Sequence, residues 1–138
     1  VRTYDYEALQ EVTKRYQFNN WSAEEWLDDE KNIALEEEGD YSLFQYQSPG
    51  VYIGHFFYTK SRGRQAINRS KQFLKEIFND YSEVKVILGL TPLEHLGARW
   101  LSKRIGFKSF GTVETEAGEC EMFILTRKDY ETRESEGN

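Results

Sequence analysis

The chain has 138 residues and a net charge of −6, with 38% hydrophobic and 30% charged residues, a composition that folds around a core rather than staying disordered. The acidic balance argues against general binding to nucleic acid or to an anionic membrane. No apolar run approaches the roughly 20 residues that cross a bilayer, and two histidines with the single Cys120 offer no zinc-ligand spacing.

This length suits one domain, expected over residues 1–130, with a polar, frayed tail over 131–138. No signal-peptide pattern is seen, and one cysteine forms no internal disulfide, so a reducing, cytoplasmic compartment is expected.

Taken in order, Asp5 to Tyr16 carries Tyr6, Leu9, Val12 and Tyr16 at the spacing of one helix face, and Phe18-Asn19-Asn20 breaks it. Ser22 caps a short second helix, with Glu25 three residues on, and Trp21 and Trp26 form a hydrophobic staple. Ile33–Glu36, Tyr41–Gln47 and Val51–Thr59 read as strands of an antiparallel meander. Their turns are Glu38-Gly39-Asp40 and Ser48-Pro49-Gly50.

The basic turn Lys60-Ser61-Arg62-Gly63-Arg64 leads into an amphipathic helix over Arg64–Phe78, ended by Asn79-Asp80. Val84–Leu90 is apolar on both faces apart from Lys85, which predicts an interior strand. The strand–helix–strand connection makes it the parallel partner of Val51–Thr59 at the sheet centre. Thr91-Pro92-Leu93-Glu94 reads as a capping box opening another helix. Its buried stripe is Leu93, Leu96, Trp100, Leu101 and Ile105, with Trp100 as core anchor and Gly106 as terminator. Phe107–Val113 and Glu119–Thr126 are the last strands, joined through Glu116-Ala117-Gly118. The fold class is α/β (α+β): a mixed, mostly antiparallel sheet with helices on both faces.

Charge is uneven. Glu24 to Asp40 holds nine acids against Lys31, whereas Lys60 to Lys75 holds six bases and no acid. These are either two solvated faces or, for the basic run at a helix start, an anion site. Gly63 is either a phosphate-loop glycine or an ordinary turn, and Arg62 and Arg64 either fork onto phosphate oxygens or serve solubility. His55, on a strand face with Val51, Ile53 and Phe57, reads first as a core histidine and second as a general base. His95 meets either a cofactor or solvent. Cys120 alternates with Met122 and Ile124 and reads as packing. Glu114, Glu116, Glu119 and Glu121 read as solvated strand ends that can also attract a cationic amine.

The order of elements resembles the GNAT superfamily, the GCN5-related N-acetyltransferases, most sharply from Gly54 to Gly111. The resemblance implies acetyl-CoA as cofactor and acetyl transfer to an amine on a small molecule or protein. Its pantetheine arm would lie along the strand end at Phe57, Tyr58 and Thr59. Its pyrophosphate would sit at Arg62, Gly63, Arg64 and Gln65, and His95 and Ala98 stand where the family often has an Asn and a small residue. Gln65 and Ile67 replace two family glycines, and Ser102 replaces the usual general-acid tyrosine. The resemblance therefore assigns no catalytic residue and implies slow or absent transfer. The sequence is also similar in character to small GNAT-like proteins of tailed phages associated with head assembly. That likeness implies a non-catalytic virion-assembly role with phage structural partners in the host cytoplasm. A homodimer is a further expectation.

Overall fold

A computed structural model describes residues 1–14, 21–116 and 118–136. The chain runs α1 (Tyr6–Val12), α2 (Ala23–Asp28), β1 (Ile33–Glu37), β2 (Asp40–Ser48), β3 (Val51–Phe57), α3 (Arg64–Asp80), β4 (Val86–Pro92), α4 (Leu96–Arg104), β5 (Lys108–Thr115), β6 (Gly118–Thr126) and α5 (Arg127–Glu136). The strands form one sheet in the order β1-β2-β3-β4-β6-β5. Among the described residues only β3 and β4 pair in parallel, at its centre, as the crossover spacing predicts. The end of the first expected helix, the breaker Phe18-Asn19-Asn20 and Ala117 lie outside the described residues.

Strand alternation divides the apolar side chains between two layers. On one face Ile33, Leu35, Phe44, Tyr52, Ile87, Phe123 and Leu125 pack against Ile67, Phe73, Leu74, Ile77 and Phe78 of α3. On the other, Ala34 and Leu43 meet Leu9 of α1 and Ala23 of α2, with Trp21 and Trp26 beside them. The Ser22 hydroxyl accepts from Glu25 N–H and caps α2 as expected. Helices thus cover both faces. No described helix is long and apolar enough to cross a membrane.

Three expectations are corrected. The capping box Thr91–Glu94 does not form, because pairing with β6 carries β4 on to Pro92, where Thr91 faces Glu121 and Pro92 faces Cys120. Proline tolerates a strand end because no ladder donor is required there. The strand also begins later than Val84, at Val86, and α4 starts only after His95.

Second, the register of α4 differs. Leu96 is 68% and Trp100 53% exposed, and no residue of α4 is fully buried. Leu101 packs against the core and Ile105 lies within it. The Phe107 N–H reaches back to the Ser102 carbonyl at 3.0 Å, closing the helix at Gly106.

Third, residues 131–136 continue α5 rather than fraying; 137–138 lie outside the described residues. That helix is anchored by Tyr130, stacked on Phe78 with ring centroids 4.7 Å apart. Arg127 at its start donates to the Val84, Phe78 and Tyr81 carbonyls.

Candidate active site

The parallel pair holds for three positions only: Val51 with Val86, Tyr52 with Ile87, and Ile53 with Leu88. Beyond them β3 stays paired to β2 alone and β4 to β6 alone. The strands part into a cleft, and Gly54–Phe56 and Gly89–Thr91 face each other across it with no ladder bonds among the described residues. Unpaired strand edges offer backbone donors and acceptors to an extended ligand. Gly54 marks the split. A Cβ there would lie 2.9 Å from Ile87 Cγ2, so only glycine lets the strands close on each other just before they separate.

The cleft encloses about 250 Å³. Its walls include His55, Phe57 and Tyr58 from β3 and its end, Leu90 and Pro92 from β4, and His95, Ala98 and Ser102 at α4. Four of the sequence-predicted residues, Phe57, Tyr58, His95 and Ala98, therefore meet in one place. None of the lining residues carries a carboxylate or an ammonium group.

Thr59, Arg62, Gly63, Arg64 and Gln65 do not line that cleft. Thr59 turns away: its N–H donates to Asp40 Oδ1 at 2.8 Å and its hydroxyl to the Gly39 carbonyl. Arg62, Gly63, Arg64 and Gln65 form the exposed start of α3, a helix of 17 residues. Gly63 is its N-cap with φ of 54°, a left-handed conformation that favours glycine, and a Cβ there would meet nothing within 4 Å. Among the described residues no group accepts from the Gly63 or Arg64 N–H. The Gln65 N–H is spent on the Arg62 carbonyl at 3.0 Å. No acid stands in the first turn, so helix dipole, free N–H groups and two arginines favour an anion.

Two residues differ from what their sequence pattern suggests. His55 is not a packed core histidine. It stands on the cleft wall, open to solvent yet surrounded by protein, and this desolvation lowers its pKa below the ordinary 6.5. Glu121 is not a solvated strand end. It is buried, accepting from Arg99 Nε at 2.7 Å and Ser109 Oγ at 2.5 Å, and these bonds hold its pKa down.

Tyr58 points to the α3 side, where its hydroxyl bonds Ser70 Oγ and burial pushes its pKa up to about 12. Ser102 reaches the cleft. Cys120 is buried, as the strand pattern implies. No cluster of ligands suited to a metal ion occurs among the described residues.

No family model and no curated protein matches the sequence. Solved structures do match. A coenzyme A complex of the aminoglycoside acetyltransferase AAC(6')-Ib is 20% identical, covers 94% of each chain and has a TM-score of 0.69. A mutant of the spermidine N-acetyltransferase SpeG from Vibrio cholerae is 14% identical over 94% of each chain, with a TM-score of 0.73. A GNAT-family acetyltransferase from Bacillus anthracis is 13% identical, covers 91% of this chain and 87% of its own, and has a TM-score of 0.58. The parted strands, the crossover helix and these likenesses together establish that the chain has the fold of the GNAT acetyltransferases.

Proposed function

We propose that this protein binds acetyl-CoA and transfers its acetyl group to an amine. The observation that carries the proposal is the parting of β3 and β4 after Ile53 and Leu88, with the open start of α3 at the beginning of the same crossover. Similar folds were solved with coenzyme A bound, one of them also with the aminoglycoside ribostamycin. An extended, amide-containing arm pairs with the free edges of Gly54–Phe56 and Gly89–Thr91. The Gly63 and Arg64 N–H groups and the guanidinium groups of Arg62 and Arg64 receive the pyrophosphate.

Acetyl-CoA supplies the acetyl group as a thioester. The chain must take a proton from the attacking ammonium. His55 suits this task, because its lowered pKa leaves it neutral and able to accept at neutral pH. The amine then forms the amide bond as the carbon–sulfur bond breaks. The nitrogen sheds a second proton as the amide forms; that proton, passed through solvent, neutralises the departing thiolate, and the first leaves His55 for solvent. Tyr58 is a poor exchanger of protons here, being tied to Ser70 with a pKa of about 12. Ser102 offers only an aliphatic hydroxyl, so the departing thiolate has no matched donor and turnover should fall below about 1 per second.

The test is free-thiol release from acetyl-CoA with a panel of polyamine and peptide amines. Slow, amine-dependent release that disappears in His55→Gln supports the proposal. Binding without turnover, or neither, would favour the non-catalytic assembly role.

A further inference from the structure

We infer that Asp40 is a positioning residue for the anion-binding turn: its carboxylate fixes the chain between β3 and α3 so that the Gly63 and Arg64 N–H groups stay open to phosphate. This inference rests on the acetyl-CoA reading above. Asp40 opens β2 and is fully buried. Its Oδ1 accepts from the N–H groups of Thr59 and Lys60, each at 2.8 Å. Its Oδ2 accepts from Ser61 Oγ at 2.5 Å and from Arg69 Nε at 3.1 Å. One side chain therefore holds three consecutive residues of the connection and the second turn of α3.

Two consequences follow. The Thr59 and Lys60 N–H groups are occupied, so the phosphate must be met further along, at the exposed Gly63 and Arg64. Arg69 is also occupied, since its remaining nitrogens reach Gln72 Oε1 and Glu38 Oε2. Lys60, Arg62 and Arg64 are left as the exposed cations of the turn. A loop ordered before the ligand arrives does not charge the cost of its ordering to binding. The two glycines missing at Gln65 and Ile67 remove backbone freedom that other phosphate loops use. Here the side chain of Asp40 holds the turn instead.

A purely structural role for Asp40 would affect every ligand alike. A positioning role affects only ligands that carry the pyrophosphate. Acetyl-CoA and acetyl-pantetheine, which ends before the phosphates, are therefore titrated by calorimetry and NMR into the unmutated protein, Asp40→Asn and Ser61→Ala. Asp40→Asn should weaken acetyl-CoA by about tenfold or more, and Ser61→Ala by roughly threefold, with acetyl-pantetheine changed less than about twofold. If Asp40→Asn does not fold, Ser61→Ala decides the question alone. Unchanged acetyl-CoA affinity, or equal losses for both ligands, would overturn the role of Asp40 and leave the acetyl-CoA reading standing. No acetyl-CoA binding by the unmutated protein would instead overturn the reading on which the inference rests.

Discussion

Arg99 of α4 donates through Nε to the buried carboxylate of Glu121 on β6 at 2.7 Å, and this pair sets which side of α4 meets the sheet. Arg99 also donates through Nη1 to the Leu93 carbonyl at 2.9 Å, tying down the loop that carries His95. With Arg99 turned inward, the next residue around the helix points out. Trp100 accordingly lies under the Arg104 guanidinium, 5.3 Å from its ring centroid, rather than in the core.

Arg99→Ala should therefore destabilise the protein by about 2 kcal/mol, because it strips a buried carboxylate of a charged donor while Ser109 and Lys103 remain. Trp100→Ala should change stability by less than about 0.5 kcal/mol, as exposed positions do. Urea denaturation of the two variants gives the comparison. A larger loss for Trp100→Ala would contradict this register of α4.

Much of the fold is legible in the sequence because its signals are periodic and local. The stripe Ile67, Phe73, Leu74, Ile77 and Phe78 gives α3, and the alternation through Phe44 and Tyr52 gives the meander. What was not legible depends on long-range pairing. The Thr91–Glu94 capping signal is overridden by β6, more than two dozen residues later. Arg99 looks like a solvated base until Glu121 is set against it. The site shows the same division. Phe57, Tyr58, His95 and Ala98, which the resemblance singles out, line one cleft, whereas His55 reads as core because the sequence does not show where β3 and β4 part. Asp40 hid within an acidic run whose other members are mostly exposed.

Rate against pH should expose His55. Its folded-state pKa lies below 6.5, so the neutral base is present above that value and is lost as pH falls through the lowered pKa. The profile of kcat/KM should show an acid limb with its inflection below 6.5. His55→Gln should abolish that limb and lower the rate by roughly 100- to 10,000-fold. An unchanged limb in His55→Gln would assign the proton to another group.

Stability against pH should expose Asp40. Although burial acts to raise its pKa, the bonds from Ser61, Lys60, Thr59 and Arg69 bring it below the ordinary 3.8. A depressed carboxylate contributes stability that is fully present above the unfolded pKa and is lost as pH falls through the folded one. The unmutated protein should lose this contribution from about pH 5 downwards, and Asp40→Asn should be less stable at neutral pH with a shallower acid slope. Parallel slopes for the two proteins would contradict the assignment.

Arg64 is exposed and forms no ion pair among the described residues. Arg64→Glu should leave the Tm nearly unchanged, since an acid in the first turn of a helix suits its dipole. The same change should weaken acetyl-CoA by about tenfold by removing a charge-assisted contact to phosphate. Paired thermal-shift and calorimetric titrations read both effects, and equal acetyl-CoA affinity would place the phosphate elsewhere.

The most direct test of the central claim is a calorimetric titration of acetyl-CoA into the unmutated protein, with a thermal-shift series alongside. Saturable, one-to-one binding and a Tm that rises with ligand concentration are expected. No heat and no shift at millimolar acetyl-CoA would contradict that claim.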